Sequence, residues 1–146
     1  MMKYIKYFIS TILLFLVIYI PPIGSYYPTY FFIGFSLMII LGDFLFKKDI
    51  TIEKYSYPML INLPIYINLF LLFILLSMVI YVFSNHNSIW LASFFNKYLF
   101  IDLIHFKNSI TAIDKVSLIA TTSLFIGIMG TVPGHELTHR KRDKFD

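Results

Sequence analysis

The sequence predicts an all-α fold, a polytopic transmembrane helical bundle with about four spans. Of its 146 residues, 58% are hydrophobic and 14% are charged, whereas soluble domains have about 45–50% apolar and about 25% charged residues. The mean hydropathy is +0.76, and the apolar residues form long runs that are nearly free of charge, a pattern typical of chains surrounded by lipid. The cations lie in short clusters between these runs, so we expect no nucleic acid as a partner.

Four apolar runs supply the predicted spans, because crossing a bilayer takes roughly 20 residues, with about 17–25 as the working range. The runs cover approximately 7–20, 30–46, 59–83 and 116–132. Pro21, Pro22 and Gly24 separate the first two and predict a short turn. Because Lys3 and Lys6 precede the first run, the alternative for that run is a signal peptide.

The distribution of Lys and Arg predicts that both termini are cytoplasmic, since cytoplasmic loops near span ends retain positive charge. Nine of the 12 cations lie before the first run, between the second and third runs, or after the fourth: Lys3, Lys6, Lys47, Lys48, Lys54, Arg140, Lys141, Arg142 and Lys144. The other three, Lys97, Lys107 and Lys115, belong to the opposite side. The expected location is therefore the inner (cytoplasmic) membrane of a cell, crossed several times.

The segment 84–115 is longer than a simple connection and has apolar and aromatic residues on roughly helical spacing. This pattern favours an amphipathic helix at the membrane surface, and a re-entrant fifth element is the alternative. His86 and His105 fall in this segment, and we expect them to be ordinary interfacial residues. Asp43, at the end of the second run, is functional if it is buried in the membrane and otherwise interfacial.

The fourth run is followed by HELTHR at 135–140, a motif typical of a metal site. His135 and His139 are four positions apart, so they lie on one face of a helix and can bind the same metal ion. Glu136 is about 100° around the helix from His135 and need not join them. Because the chain has no cysteine, any metal must be held by histidine and carboxylate. The alternative is that His135 and His139 bind no metal and are polar residues at the membrane interface, followed by a basic stop-transfer cluster.

An HExxH motif has two metal interpretations. In zinc peptidases it lies within a continuous helix, and its Glu is the general base on a zinc-bound water. Here Pro133-Gly134 precede the motif and a basic run follows at 140–142, which is untypical of the middle of a helix. A membrane zinc metallopeptidase is therefore the second hypothesis, and a non-catalytic small membrane protein is the third.

The residues around the motif resemble those of another family. The stretch 124–146, LFIGIMGTVPGHELTHRKRDKFD, is similar to the first histidine box of the alkane monooxygenases, members of the fatty acid desaturase-like membrane di-iron superfamily. That box reads H-E-[LM]-x-H-[KR], with a Gly before it and basic residues and a Phe-Asp pair after it. The paired upstream spans and the Leu41-Gly42-Asp43 turn are also similar to that family's layout.

The resemblance implies a membrane bundle whose cytoplasmic end holds a di-iron centre, with histidines from three boxes. Such a centre uses O₂ to hydroxylate the terminal carbon of an alkane or acyl chain and takes electrons from a rubredoxin or ferredoxin-type donor. The resemblance implies iron ligation by His135 and His139 and an orienting role for Glu136. We find no second or third box, so we expect 1–146 to be the N-terminal transmembrane portion of such an enzyme, with the first box and its basic flank at 135–146, and to be inactive alone.

Overall fold

A computed structural model describes residues 2–45 and 58–131 of the chain. Over these residues the protein is helical and contains no strand, so the prediction of an all-α fold is confirmed. In chain order the helices are α1 (Met2–Tyr19), α2 (Tyr27–Leu45), α3 (Pro58–Phe83), α4 (Ile89–Phe94), α5 (Leu103–Ser109) and α6 (Ala112–Ile126). One 3-10 turn (Pro21–Ile23) follows α1, and π-helical segments continue α4 (Phe95–Leu99) and α6 (Gly127–Thr131).

The turn predicted between the first two apolar runs is present, and its backbone follows from the residues there. Pro21 and Pro22 begin the 3-10 turn, where the missing N–H of proline costs no helical hydrogen bond. Tyr26 then adopts a left-handed conformation with φ 66°. The chain reverses over these few residues, and α2 begins at Tyr27.

The segment predicted as one interfacial helix is divided into two short helices. Phe100 has φ 57°, the left-handed conformation that ends the π-helical segment. Asp102 begins α5 by accepting hydrogen bonds from the backbone N–H groups of Ile104 and His105, as an N-cap aspartate does. These two local signals interrupt the apolar pattern, so α4 and α5 are separate elements.

The long helices pack as two parallel pairs, α1 with α3 and α2 with α6, and α3 also contacts α6. Thr11 near the middle of α1 donates a hydrogen bond to Asn68 near the middle of α3, 2.7 Å between oxygen atoms. In the other pair the rings of Phe35 and Phe125 stack with centroids 4.7 Å apart. The helices joined by the first turn therefore have their main packing partners elsewhere in the chain.

Contacts between connecting segments define two ends of the bundle. Ser25, in the first turn, donates a hydrogen bond to the Ser109 carbonyl at the end of α5, and Lys107 donates to the Ser84 carbonyl at the end of α3. The first turn and the segment 84–111 therefore lie together, and we call this the connector end. Because α1 and α3 end at the connector end, whereas α2 and α6 begin there, α1 and α3 begin, and α2 and α6 end, at the opposite end of the bundle.

The apolar side chains of the bundle form two groups, a buried core and an exposed outer face. The core is formed mainly by buried residues of α1, α3, α5 and α6, among them Leu14, Val17, Ile18, Leu75, Met78, Leu103, Phe106, Leu118 and Phe125. Many large apolar side chains remain outside; Phe44 of α2, for example, is 86% exposed. Two helical stretches, Asn62–Phe83 and Ala112–Gly130, are long and apolar enough to cross a membrane, and the apolar stretches Phe8–Ile23 and Tyr27–Gly42 are shorter.

Candidate functional site

The histidine pair predicted to bind metal, His135 and His139, and the neighbouring Glu136 lie outside the residues that the structure describes. Their roles therefore remain predictions. Asp43 falls in the last turn of α2, and its side chain is likewise outside the described part. Among the described residues, no group of three or more His, Asp or Glu side chains is arranged to hold a metal ion.

The chain approaches the predicted site through the end of α6. The π-helical segment Gly127–Thr131 ends this helix, and His135 follows four residues later in the sequence. A Cβ added to Gly130 would lie 3.6 Å from Leu72 Cδ1 of α3, so the two helices approach closely here, as small residues at a helix interface allow. Single π-helical turns are frequent at functional sites, and this one precedes the predicted metal ligands in the sequence.

The two remaining histidines lie at the connector end, and both are exposed. The backbone N–H of His86 donates to Ser84 Oγ, and that of His105 donates to Asp102 Oδ1 as part of the cap of α5. These positions are consistent with the interfacial role expected for both residues. Because α6 crosses the bundle before position 131, these histidines are at the end opposite to the one at which α6 terminates.

Asp114 accepts more hydrogen bonds than any other side chain shown among the described residues, and it is not one of the predicted site residues. It is fully buried in the first turn of α6. Its Oδ2 accepts from the backbone N–H of Tyr26 at 3.0 Å and from the N–H and hydroxyl of Thr111 at 3.1 and 2.6 Å. Its Oδ1 accepts from the Thr29 hydroxyl at 2.6 Å. One carboxylate therefore joins the first turn, α2 and α6.

A local sequence signal could have identified this cluster. Thr111 and Asp114 form a capping box, in which the Thr111 hydroxyl accepts from the Asp114 N–H and the Asp114 carboxylate accepts from the Thr111 N–H. The spacing of an N-cap Thr and an acidic residue three positions later, before an apolar run, is the pattern of such a box. What the pattern does not contain is the connection to Tyr26 and Thr29, 88 and 85 positions away.

The Asp114 cluster positions helices, and its carboxylate has no oxygen available to bind a metal or a substrate. Both carboxylate oxygens are already occupied by donors of the protein, and the side chain has no contact with solvent. Ser117, one turn further along α6, extends the cluster by donating to the Thr29 hydroxyl at 3.2 Å. The cluster therefore sets how α2 and α6 align along their shared interface, which in turn sets where α6 ends.

A second polar contact aligns α1 with α3. Asn68, which is buried, accepts from the Thr11 hydroxyl at 2.7 Å and donates through its Nδ2 to Ser10 Oγ at 2.9 Å. An amide in an apolar helix needs such partners, because a buried polar group without a hydrogen bond is costly. The contact determines how α1 and α3 are aligned along their axes.

Comparison with protein-family models, with curated proteins and with solved structures finds no match for this chain. The basis for a functional interpretation is therefore internal to the molecule. It consists of the HExxH motif, the residues around it in the sequence, and the end of the bundle at which α6 terminates.

Proposed function

We propose that this chain is the membrane-embedded helical part of a non-haem iron hydroxylase that acts on the terminal carbon of an alkane or acyl chain. The observation that carries the proposal is the sequence HELTHR at 135–140, which begins four residues after the π-helical segment Gly127–Thr131 that continues α6. Support also comes from the fold, because α6 ends on the side of the bundle where α1 and α3 begin and α2 ends. The ends of several described helices therefore lie together where α6 ends.

In this proposal all four long helices cross the inner membrane and both termini are cytoplasmic. With 18 and 19 residues at about 1.5 Å per residue, α1 and α2 extend about 27–29 Å, close to the hydrocarbon thickness of about 30 Å. Large exposed apolar side chains on α2 and α3, such as Phe44, Leu45 and Phe70, are suited to contact with lipid. The nine cations counted above adjoin the opposite end in sequence, as expected for a cytoplasmic face.

The ligand requirement of iron limits what these residues can do alone. His135 and His139 supply two imidazoles, whereas octahedral iron has about six positions, so further ligands must come from another segment or a second copy. When bound, iron with O₂ would supply the oxidising chemistry. The residues of this chain would contribute the two imidazoles, the orientation of one of them by Glu136, and apolar helix surfaces for a hydrophobic substrate. A rubredoxin or ferredoxin-type donor would approach from the cytoplasmic side.

The metal assignment is tested by the iron content of the protein expressed from its whole coding sequence. We expect His135→Ala and His139→Ala to lose iron and alcohol formation, because these two histidines have the four-residue spacing that would place both on one face of a helix. His86→Ala and His105→Ala are the matched controls and should retain both. Full iron occupancy in His139→Ala would show that the ligands are assigned wrongly, and stoichiometric zinc in place of iron would favour the metallopeptidase hypothesis.

The topology is tested with single cysteines, since the natural chain contains none. His86→Cys at the connector end should react with a membrane-impermeant maleimide added to intact cells. Lys48→Cys should react only after the membrane is opened. The reverse labelling pattern would contradict the cytoplasmic placement of the histidine pair, and labelling of both positions from outside would contradict the proposed spans.

A further inference from the structure

Three aromatic side chains form a continuous exposed ridge at the connector end. Trp90, Phe94 and Tyr98 are spaced four positions apart along α4 and the π-helical segment that continues it. The ring centroids of Trp90 and Phe94 are 6.1 Å apart, and those of Phe94 and Tyr98 are 5.2 Å apart. Trp90 is 75% exposed and Tyr98 is 62% exposed. We call these three residues the aromatic ridge.

The aromatic ridge is held firmly to the bundle by the other side of the same segment. Ala92 and Phe95 are buried in the core, and Leu91 and Leu99 are packed against it. The segment therefore has one apolar side that packs on the bundle and a second aromatic side that is largely exposed. An ordinary surface helix would present polar residues on that second side.

Phe100 adds a backbone observation to the exposed aromatic surface. It ends the π-helical segment in a left-handed conformation with φ 57°, its N–H bonded to the Phe95 carbonyl. Glycine is the residue usually found at such a position, because other residues are strained there. Phe100 is nevertheless 89% exposed, so the fold gains no packing from this large side chain. A large apolar side chain that is exposed at an unfavourable backbone position, with little packing against the described residues, favours a partner outside them.

We propose that the aromatic ridge and Phe100 form a lipid-docking surface that lies among the glycerol groups and upper acyl carbons of the phospholipids on the connector side. This inference rests on the proposed function insofar as it requires the bundle to cross a membrane. The partner is a bilayer rather than another protein because of where the surface lies. The segment that carries it connects Asn62–Phe83 to Ala112–Gly130, the two helical stretches that are long and apolar enough to cross a membrane.

The residue types of the surface agree with that depth in a membrane. Tryptophan and tyrosine have an apolar body and a polar tip, and they concentrate at the level where spans leave the hydrocarbon. Lys97 lies beside the ridge with its ammonium 5.3 Å from the centre of the Tyr98 ring. A lysine there can keep its charge among the headgroups while its aliphatic stem follows the apolar surface. Docking in this layer would hold the segment between α3 and α6 against the membrane.

The chain contains its own reporter, because Trp90 is the only tryptophan. The 146-residue protein is reconstituted in phosphatidylcholine vesicles, and Trp90 fluorescence is measured with lipids brominated at shallow (6,7) or deep (11,12) acyl positions. We expect the shallow bromines to quench at least twofold more strongly than the deep ones. Acrylamide in the water should quench at least threefold less than it quenches free tryptophan.

Two variants test whether the named residues hold the segment in the lipid. In Tyr98→Ser with Phe100→Gly, two apolar side chains are removed while glycine suits the left-handed position, so the fold is retained. We expect quenching by shallow bromines to fall about twofold and quenching by acrylamide to rise about twofold. The matched control is Phe44→Ala, which removes an exposed aromatic side chain of α2 and should leave both values unchanged. An unchanged depth of Trp90 in the double variant would overturn the assignment.

The outcomes separate this inference from the proposed function. If the protein resists extraction by alkaline carbonate but Trp90 is quenched by acrylamide and not by brominated lipid, the docking surface is wrong and the membrane-spanning bundle stands. If Trp90 is protected from both quenchers, a second copy or another protein covers the ridge, and lipid docking is overturned. If carbonate releases the protein from the vesicles, the spans are wrong and the docking surface is wrong with them.

Discussion

Replacing Asp114 by alanine removes the buried carboxylate that joins the first turn, α2 and α6. Two of its donors are backbone N–H groups, those of Tyr26 and Thr111, which have no freedom to turn toward another acceptor. Each donor left without a partner costs about 1–3 kcal/mol. Because both hydrogen bonds are only partly buried, we take the lower part of that range and expect Asp114→Ala to lower the free energy of unfolding by about 2–4 kcal/mol.

The isosteric variant separates the carboxylate's geometry from its charge. In Asp114→Asn the remaining oxygen can take the place of Oδ2, which accepts three of the four hydrogen bonds. The new amide group can donate to Thr29 if that hydroxyl accepts instead of donating. Only the extra strength of bonds to a charged acceptor is then lost, and the expected cost is about 1 kcal/mol.

Asp102 provides the matched control, because it is an exposed aspartate that caps α5 and accepts from two backbone N–H groups. Asp102→Ala should cost about 1 kcal/mol, the typical loss of an N-cap. The three variants are compared in detergent micelles by titration with a denaturing detergent, with helix content followed by circular dichroism. If Asp114→Ala costs no more than Asp102→Ala, the carboxylate does not hold the connector end together.

Three further predictions follow from the packing of side chains and from the number of iron ligands that the chain supplies. Phe125→Ala should cost about 3–5 kcal/mol, because its buried ring stacks on Phe35, whereas Phe44→Ala should stay within about 0.5 kcal/mol; the same titration compares them. Gly130→Ala should be tolerated, since its Cβ would meet Leu72 at ordinary contact distance, and Gly130→Leu should lower the free energy of unfolding by about 1–3 kcal/mol. The 146-residue chain alone should lose added iron on chelator dialysis and form no alcohol from octane; retained stoichiometric iron would contradict that expectation.

The sequence by itself determined the helical class and the boundaries of α3. The third apolar run was predicted over 59–83 and α3 covers Pro58–Phe83, because a long run without charge or strong breakers has few alternatives. The fourth run was predicted to begin at 116, but α6 begins at Ala112. The difference arises because Asp114 and Lys115 lower the hydropathy while the capping box begins the helix ahead of them. The HExxH spacing predicts two metal ligands, His135 and His139, without reference to any fold.

Only the tertiary structure decided which helices are partners and which faces are inside. In a soluble helix the polar side marks the surface, but here core and outer faces are both apolar, so hydrophobicity along the chain does not distinguish them. The pairing of α1 with α3 and of α2 with α6 instead depends on contacts such as Thr11 with Asn68 and Thr29 with Asp114, 57 and 85 positions apart. A hydrogen bond between such distant residues exists only after the chain has folded, because the fold is what brings donor and acceptor within reach.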